Sequence, residues 1–286
     1  MKILTDCAAD LSVEEARVLG IAIAPLFIQF PDGEVDALDL TPDEFYDRLE
    51  AMQPEIPTTA QPSAGIFGGL YQKMADAGEE ILSIHISSGL SGTINSARQA
   101  AQQMADKLVH VVDSMTLSGG QRFQVLAAAR ALQAGWNIPA IMKRLEQVRA
   151  NTEVIYTLET LTYLARGGRI GRVQALAGSL LGIKPIIHVN KEDGKYSPVG
   201  RARTVKRALN DIADHLASLY PYEKPLWVSV MHGKYQEQAE ALASLLQEKL
   251  NVGKLEILRI SPVLGVHTGP GIVGATVVPM HLIEGF

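Results

Sequence analysis

The sequence predicts an α/β protein of two domains, the N-terminal one built on a parallel sheet and the C-terminal one on a mixed sheet. Three observations carry that prediction. Short apolar runs alternate with helical patterns from Lys2 to about Ala150, the arrangement of parallel strands joined by crossover helices. Beyond that point Asp193-Gly194 forms a hairpin signal between two strand-like runs, so antiparallel pairing joins the pattern. The 286 residues are 47% hydrophobic, which is enough to fill two ordinary cores. The change of pattern places the domains at 1–150 and 151–286.

Lys2 to Thr5 reads as a short buried strand, followed by an acid-rich turn from Asp6 to Leu11. Ser12 caps a helix with Glu14 and Glu15 in its first turn, where acids favour the helix dipole. Residues 21–30 read as one apolar strand region, closed by the Asp32-Gly33 turn. Thr41 and Pro42 open a helix that runs to about Met52. Pro54, Pro57 and Pro62 argue against regular structure over 54–63, a rigid loop that carries Thr58 and Thr59. A helix over 63–77 leads to the strand 81–86 and then to Ser87-Ser88-Gly89-Leu90-Ser91-Gly92-Thr93. Helix 95–105, strand 110–114 and helices 120–134 and 138–149 complete this half.

In the second half, 154–158 is a strand and 161–165 a helical turn, followed by Gly167-Gly168-Arg169-Ile170 and a helix to about Leu181. Strands 183–189 and 195–199 flank the hairpin turn, then come helix 204–219, strand 226–232 and helix 236–250. Strands 255–260 and 272–278 close the chain around a loop, 261–271, that holds His267 and Gly269-Pro270-Gly271.

Composition excludes several functions. The net charge is −5 and no basic tract exists, which argues against nucleic acid or an anionic membrane as partner. One cysteine, Cys7, allows neither an internal disulfide nor a cysteine metal cluster. The start is too acidic for a signal peptide, and no apolar run reaches the roughly 20 residues of a membrane span. A soluble cytoplasmic protein is the simplest expectation.

Three loops combine glycine or proline with hydroxyl or imidazole: 57–63, 87–93 and 267–271. Together they offer neutral donors to a carboxylate or phosphate. The middle loop follows a strand and precedes a helix, the geometry that turns free backbone N–H groups toward an anion. Helix capping by Ser91 and Thr93 is the plainer alternative. No G-x-S-x-G, P-loop, H-E-x-x-H or strand-linked G-x-G-x-x-G occurs, so no cofactor or metal is expected. His85, His110, His188, His215, His232 and His281 are scattered and read as core or surface residues. Arg166, Arg169, Arg172, Arg201 and Arg203 suit a phosphate or an acidic surface, or are simply solvated. Asp6, Asp10 and Asp113 are either a carboxylate set at one sheet edge or caps and turn acids.

Taken in order, these stretches resemble the DegV family of fatty-acid-binding proteins. The resemblance rests on Thr5-Asp6-Cys7, Pro57 to Ser63, Ser87 to Ala97, Val112-Asp113-Ser114, Leu161 to Ile170, Ile183 to Ile186, Arg201 to Arg207, and His267 to Gly271. It covers essentially the whole chain. It implies a long-chain, palmitate-like fatty acid bound between the two domains, its acyl chain in an apolar tunnel of the N-terminal domain. It implies a carboxylate held by Thr59 and Ser91, with Gly92 and Thr93 in the same loop and His267 as a third contact. It further implies a partner kinase resembling dihydroxyacetone kinase that converts the lipid to an acyl phosphate, with Arg169 and Arg201 toward the phosphate or the partner. The chain itself is then a non-catalytic binding subunit. Cys7 and Ala60 stand where the family usually has serine, and Ile94 where an aromatic is common. Two other readings compete. One is a hydrolase with Ser91 as nucleophile and His267 as base, which needs a carboxylate behind the imidazole. The other is a small-anion or nucleotide module on the Gly-Gly-Arg-Ile loop.

Overall fold

A computed structural model describes residues 1–104, 108–177, 182–222 and 224–285. The first half comprises β1 (Lys2–Asp6), α1 (Val13–Leu19), β2 (Ile21–Ala24), β3 (Phe27–Phe30), β4 (Gly33–Asp36), α2 (Pro42–Ala51), β5 (Thr58–Ala60), α3 (Ala64–Asp76), β6 (Ile81–His85), α4 (Thr93–Ala101), β7 (Val109–Asp113), α5 (Ser118–Gln133) and α6 (Ile138–Asn151). Four of its strands form a wholly parallel sheet in the order β2-β1-β6-β7. The second half comprises β8 (Glu153–Leu158), α7 (Thr162–Arg166), α8 (Gln174–Ala177), β9 (Lys184–Val189), β10 (Tyr196–Ala202), α9 (Val205–Leu219), β11 (Leu226–His232), α10 (Gln236–Lys249), β12 (Val252–Arg259), α11 (Pro262–Thr268) and β13 (Ile272–Pro279). Its six-stranded sheet runs β10-β9-β8-β13-β11-β12. Only β11 and β12 pair in parallel, so this sheet is mixed.

Caps fix the helix starts that the sequence announces. Ser12 Oγ accepts from Glu15 N at 3.0 Å. Thr41 and Glu44 form a reciprocal capping box at the head of α2, satisfying two otherwise orphaned donors.

Three local expectations are corrected. Residues 21–30 are not one strand: Pro25 separates β2, in the parallel sheet, from β3, which leaves it. The 54–63 segment is not all loop. Its prolines leave room for the short strand β5, which pairs Thr59 with Ile28 and completes a third sheet, antiparallel, in the order β4-β3-β5. Residues 261–271 are not a loop either. Pro262 sits at the first position of α11, where its missing N–H costs nothing, so His267 rides on a helix. Helix α4 begins two residues earlier than expected, at Thr93, and closes at Ala101. The ends anticipated at Ala105 and Leu181 lie outside the described residues.

Helix α5 is buried continuously from Ser118 to Ala129. A helix buried all round, its polar Gln121, Arg122 and Gln124 included, is enclosed on every side. Its Phe123, Val125 and Leu126 share one core with Ile3, Leu82 and Ile84 of the parallel sheet and with Trp227 and Val278 of the mixed sheet. The other face of the parallel sheet is filled by Phe67 and Tyr71 of α3 and Ala97 and Ala100 of α4.

Candidate functional site

Strand β5 and helix α11 bring Thr59 and His267 together, with Thr59 Oγ1 and His267 Nε2 2.9 Å apart. The other ring nitrogen, Nδ1, is buried without a partner. It lies against Gly167, where any Cβ would collide with it. His267 is 9% exposed. Burial, reinforced by the Arg169 guanidinium, lowers its pKa to about 4, so the imidazole is neutral at physiological pH. A neutral ring carries one N–H, and it can serve as a donor without a fixed charge. Arg169 ties two loops together. Its Nη1 donates to Gly167 O at 2.6 Å and its Nε to Leu90 O at 3.4 Å.

Ser91, Gly92 and Thr93 stand beside this pair. Ser91 Oγ is 2.8 Å from Thr93 Oγ1 and accepts from Thr93 N at 3.2 Å. The hydroxyl therefore shapes the entrance to α4, the capping-type role the sequence left open. Gly92 abuts Gln61, and a side chain there would collide with the Gln61 amide, whose Nε2 donates to Ser96 Oγ. Thr93 is fully buried. Arg201 is exposed on edge strand β10, opposite Pro185, at the end of the mixed sheet where β8 finishes and β13 begins. Sequence reasoning missed Gly167 and Gln61 as parts of the site. Gly167 was visible in Gly-Gly-Arg-Ile, but as a close backbone approach beside Arg169 rather than as the floor under His267. Ile94 is fully buried on α4, and Ala60 pairs with Phe27 in the small antiparallel sheet.

His267 is followed by Thr268, which lines two spaces. One is an open cleft of ≈ 560 Å³ bordered by Gln53, Tyr163 and Arg166. The other is a narrow, almost wholly apolar void of ≈ 30 Å³ among Leu117, Val154, Tyr156, Tyr196, Leu264 and Ile272. This void lies between the mixed sheet and residues Leu117 and Ser118 of the first half.

The acids do not form a carboxylate set. Asp6 accepts from Ala8 N, Ile86 N and Gln121 Nε2. Asp113 accepts from Met115 N and Ser88 N. Asp10 accepts from Ser118 Oγ and Ser261 N, bridging the start of α5 to the start of α11. Enclosure of its carboxylate raises its pKa to about 6.

A hydrogen-bonded Asp–His–Ser chain does exist, but elsewhere. His85 Nδ1 lies 2.9 Å from Asp6 Oδ2, and its Nε2 lies 2.6 Å from Ser83 Oγ, which is 2.9 Å from Tyr71 Oη. All four residues have no exposed surface, so Ser83 meets no substrate. Ser91, for its part, bonds Thr93. Among the described residues, no three His, Cys, Asp or Glu side chains group to hold a metal ion, and no helix is long and apolar enough to cross a membrane.

Comparison with known proteins matches this architecture over its full length. The profile of the uncharacterised DegV protein family spans residues 1–280. A DegV domain-containing protein of Deinococcus radiodurans is 35% identical over 280 residues, covering 97% of this chain and 98% of the other. One from Clostridium acetobutylicum is 33% identical over 277 residues, covering 96% and 97%. Among solved structures, a fatty-acid-binding DegV family protein from Thermus thermophilus superposes with a TM-score of 0.91 at 31% identity, covering 97% of this chain and 99% of that one. A stearic-acid-binding protein from Eubacterium ventriosum gives 0.90 at 28% identity, covering 97% and 98%. This chain belongs to the DegV family.

Proposed function

We propose that this protein binds a long-chain, palmitate-like fatty acid and presents its carboxylate to a partner kinase of the dihydroxyacetone-kinase type, which forms the acyl phosphate. The observation that carries the reading is the adjacency of His267 and Thr268. One residue bonds Thr59 in the polar cluster, and the next lines the apolar void. Donors for a head group thus stand at the mouth of a space for a tail.

The chemistry fits a carboxylate that must be held and later released. A buried carboxylate needs several hydrogen bonds to offset its desolvation. Thr59, Ser91 and neutral His267 supply them as uncharged groups, with Arg169 behind them. About fifteen methylenes at roughly 0.8 kcal/mol each give about 12 kcal/mol of gross apolar transfer. The tail therefore dominates affinity and the polar cluster fixes orientation. The void is far smaller than the roughly 300 Å³ at which ligand pockets begin, so loading requires the lining side chains to shift. Arg169 and Arg201 lie toward the same end of the mixed sheet and suit an acyl phosphate or the kinase surface. The protein performs no bond chemistry itself and works in the cytoplasm.

Organic extraction of the purified, denatured protein followed by mass spectrometry tests the reading. A stoichiometric fatty acid is expected. A blank that persists after incubation with a mixed fatty-acid pool would overturn it. Reconstitution with a candidate kinase and ATP then tests the second half: acyl phosphate forms only when both proteins are present.

A further inference from the structure

The void behind Thr268 is mostly apolar, and two of the hydroxyls that line it stand apart. Tyr156 and Thr276 both line it, and both hydroxyls are buried without a hydrogen-bond partner. The strand register explains their meeting. Gly274 of β13 stands opposite Tyr156 of β8, and Thr276 stands opposite Val154, so the four share one face of the mixed sheet. Any side chain at Gly274 would collide with Tyr156, and any at Gly119 of α5 would collide with Thr276 Oγ1. Gly274 thus lets the backbones of β8 and β13 close up beside Tyr156, and Gly119 leaves room for the Thr276 hydroxyl. The Tyr156 ring packs edge-on against that of Tyr196, centroids 5.8 Å apart.

Buried hydroxyls without partners are exceptions that call for an explanation. A purely hydrocarbon guest would leave both unsatisfied and would also exclude water from them. Residues such as phenylalanine and valine would serve such a guest better at the same volume. We infer that the cavity takes an acyl chain bearing an oxygen substituent, a hydroxyl or a keto group, which the paired hydroxyls of Tyr156 and Thr276 recognise. A ligand hydroxyl can accept from one of them and donate to the other; a keto oxygen accepts from both. This inference rests on the fatty-acid reading above and names the subclass of lipid.

Binding of stearate and of hydroxystearates with the hydroxyl at successive mid-chain carbons, measured by titration calorimetry on the delipidated protein, tests it. At least one positional isomer is expected to bind tenfold or more tightly than stearate. Tyr156→Phe combined with Thr276→Val should abolish that preference, so that the favoured isomer binds no more tightly than stearate does to the same variant. Stearate binding at least as tightly as every isomer would overturn the inference and leave the fatty-acid reading standing. So would a preference that survives both substitutions. Binding of neither class would remove the fatty-acid reading and this inference with it.

Discussion

His85 and His267 are both buried histidines hydrogen-bonded to a hydroxyl-bearing side chain, yet they do opposite things. Both nitrogens of His85 have partners, Asp6 and Ser83, and the carboxylate behind it accepts three further N–H groups. Nothing is left over, and the ring also packs edge-on against Phe67. His267 has one partner, Thr59, one unpaired nitrogen, and a neighbouring cation. The first arrangement resembles a catalytic triad and is a structural staple. The second is incomplete, and the residue after it, Thr268, lines a cavity. Saturation with partners, rather than the identity of the residues, separates a histidine that holds the fold from one available to a ligand.

Substitutions sharpen that contrast, and the largest effect falls on the saturated side. Asp6→Ala strands three N–H groups and His85 in a dry core, and should cost about 3–5 kcal/mol in denaturant unfolding. An unchanged midpoint would mean the His85 network is not structural. At the incomplete site the effect moves to binding. Thr59→Val removes the hydroxyl facing His267 and should weaken fatty-acid binding about tenfold, with Tm within a few degrees of the parent. Gly167→Ala drives a methyl into His267 Nδ1 and should lower affinity in the same direction. Ser91→Ala is milder. It loses a contact that also serves the start of α4, and should weaken binding and acyl-phosphate formation a few-fold without unfolding the protein. Acyl transfer unchanged in that variant would remove Ser91 from the head-group site.

The pH dependence sets two buried groups against each other. His267 takes a proton near 6.5 when unfolded but only near 4 when folded, so its contribution to stability is complete above pH 6.5 and is lost as pH falls toward 4. Asp10 runs the other way. Its folded pKa is about 6 against 3.8 unfolded, so the folded chain binds the proton first and this group adds stability as pH drops from 6 toward 4. Thermal melts of Asp10→Asn between pH 4 and 7 should therefore lose stability on acidification more steeply than the parent. His267→Gln should lose it less steeply.

Much of the fold was legible because strands, caps and turns are local. Ser12, Thr41 with Glu44, and Asp193-Gly194 act through neighbours a few residues away, and each does what its chemistry requires. The alternation that announced a parallel sheet held for β1, β2, β6 and β7. The sequence hid what depends on distant partners. Pro25 looked like a wrinkle in a strand, yet it diverts the chain into a third sheet whose partner, β5, lies thirty residues on. Thr59 and His267 were both singled out, but their contact spans 208 positions and no periodicity encodes it. Gly167 shows why: a glycine required by a close approach looks in sequence like one required by a turn.

Helix α5 has a consequence for how this molecule melts. Its side chains complete the interiors on both sides of it, and its Arg122 pairs with Glu15 of α1 and Glu256 of β12. Neither sheet keeps a closed interior once that helix departs. Scanning calorimetry should accordingly record one endotherm whose van 't Hoff and calorimetric enthalpies agree, and a chain cut at residue 150 should yield no separately melting halves.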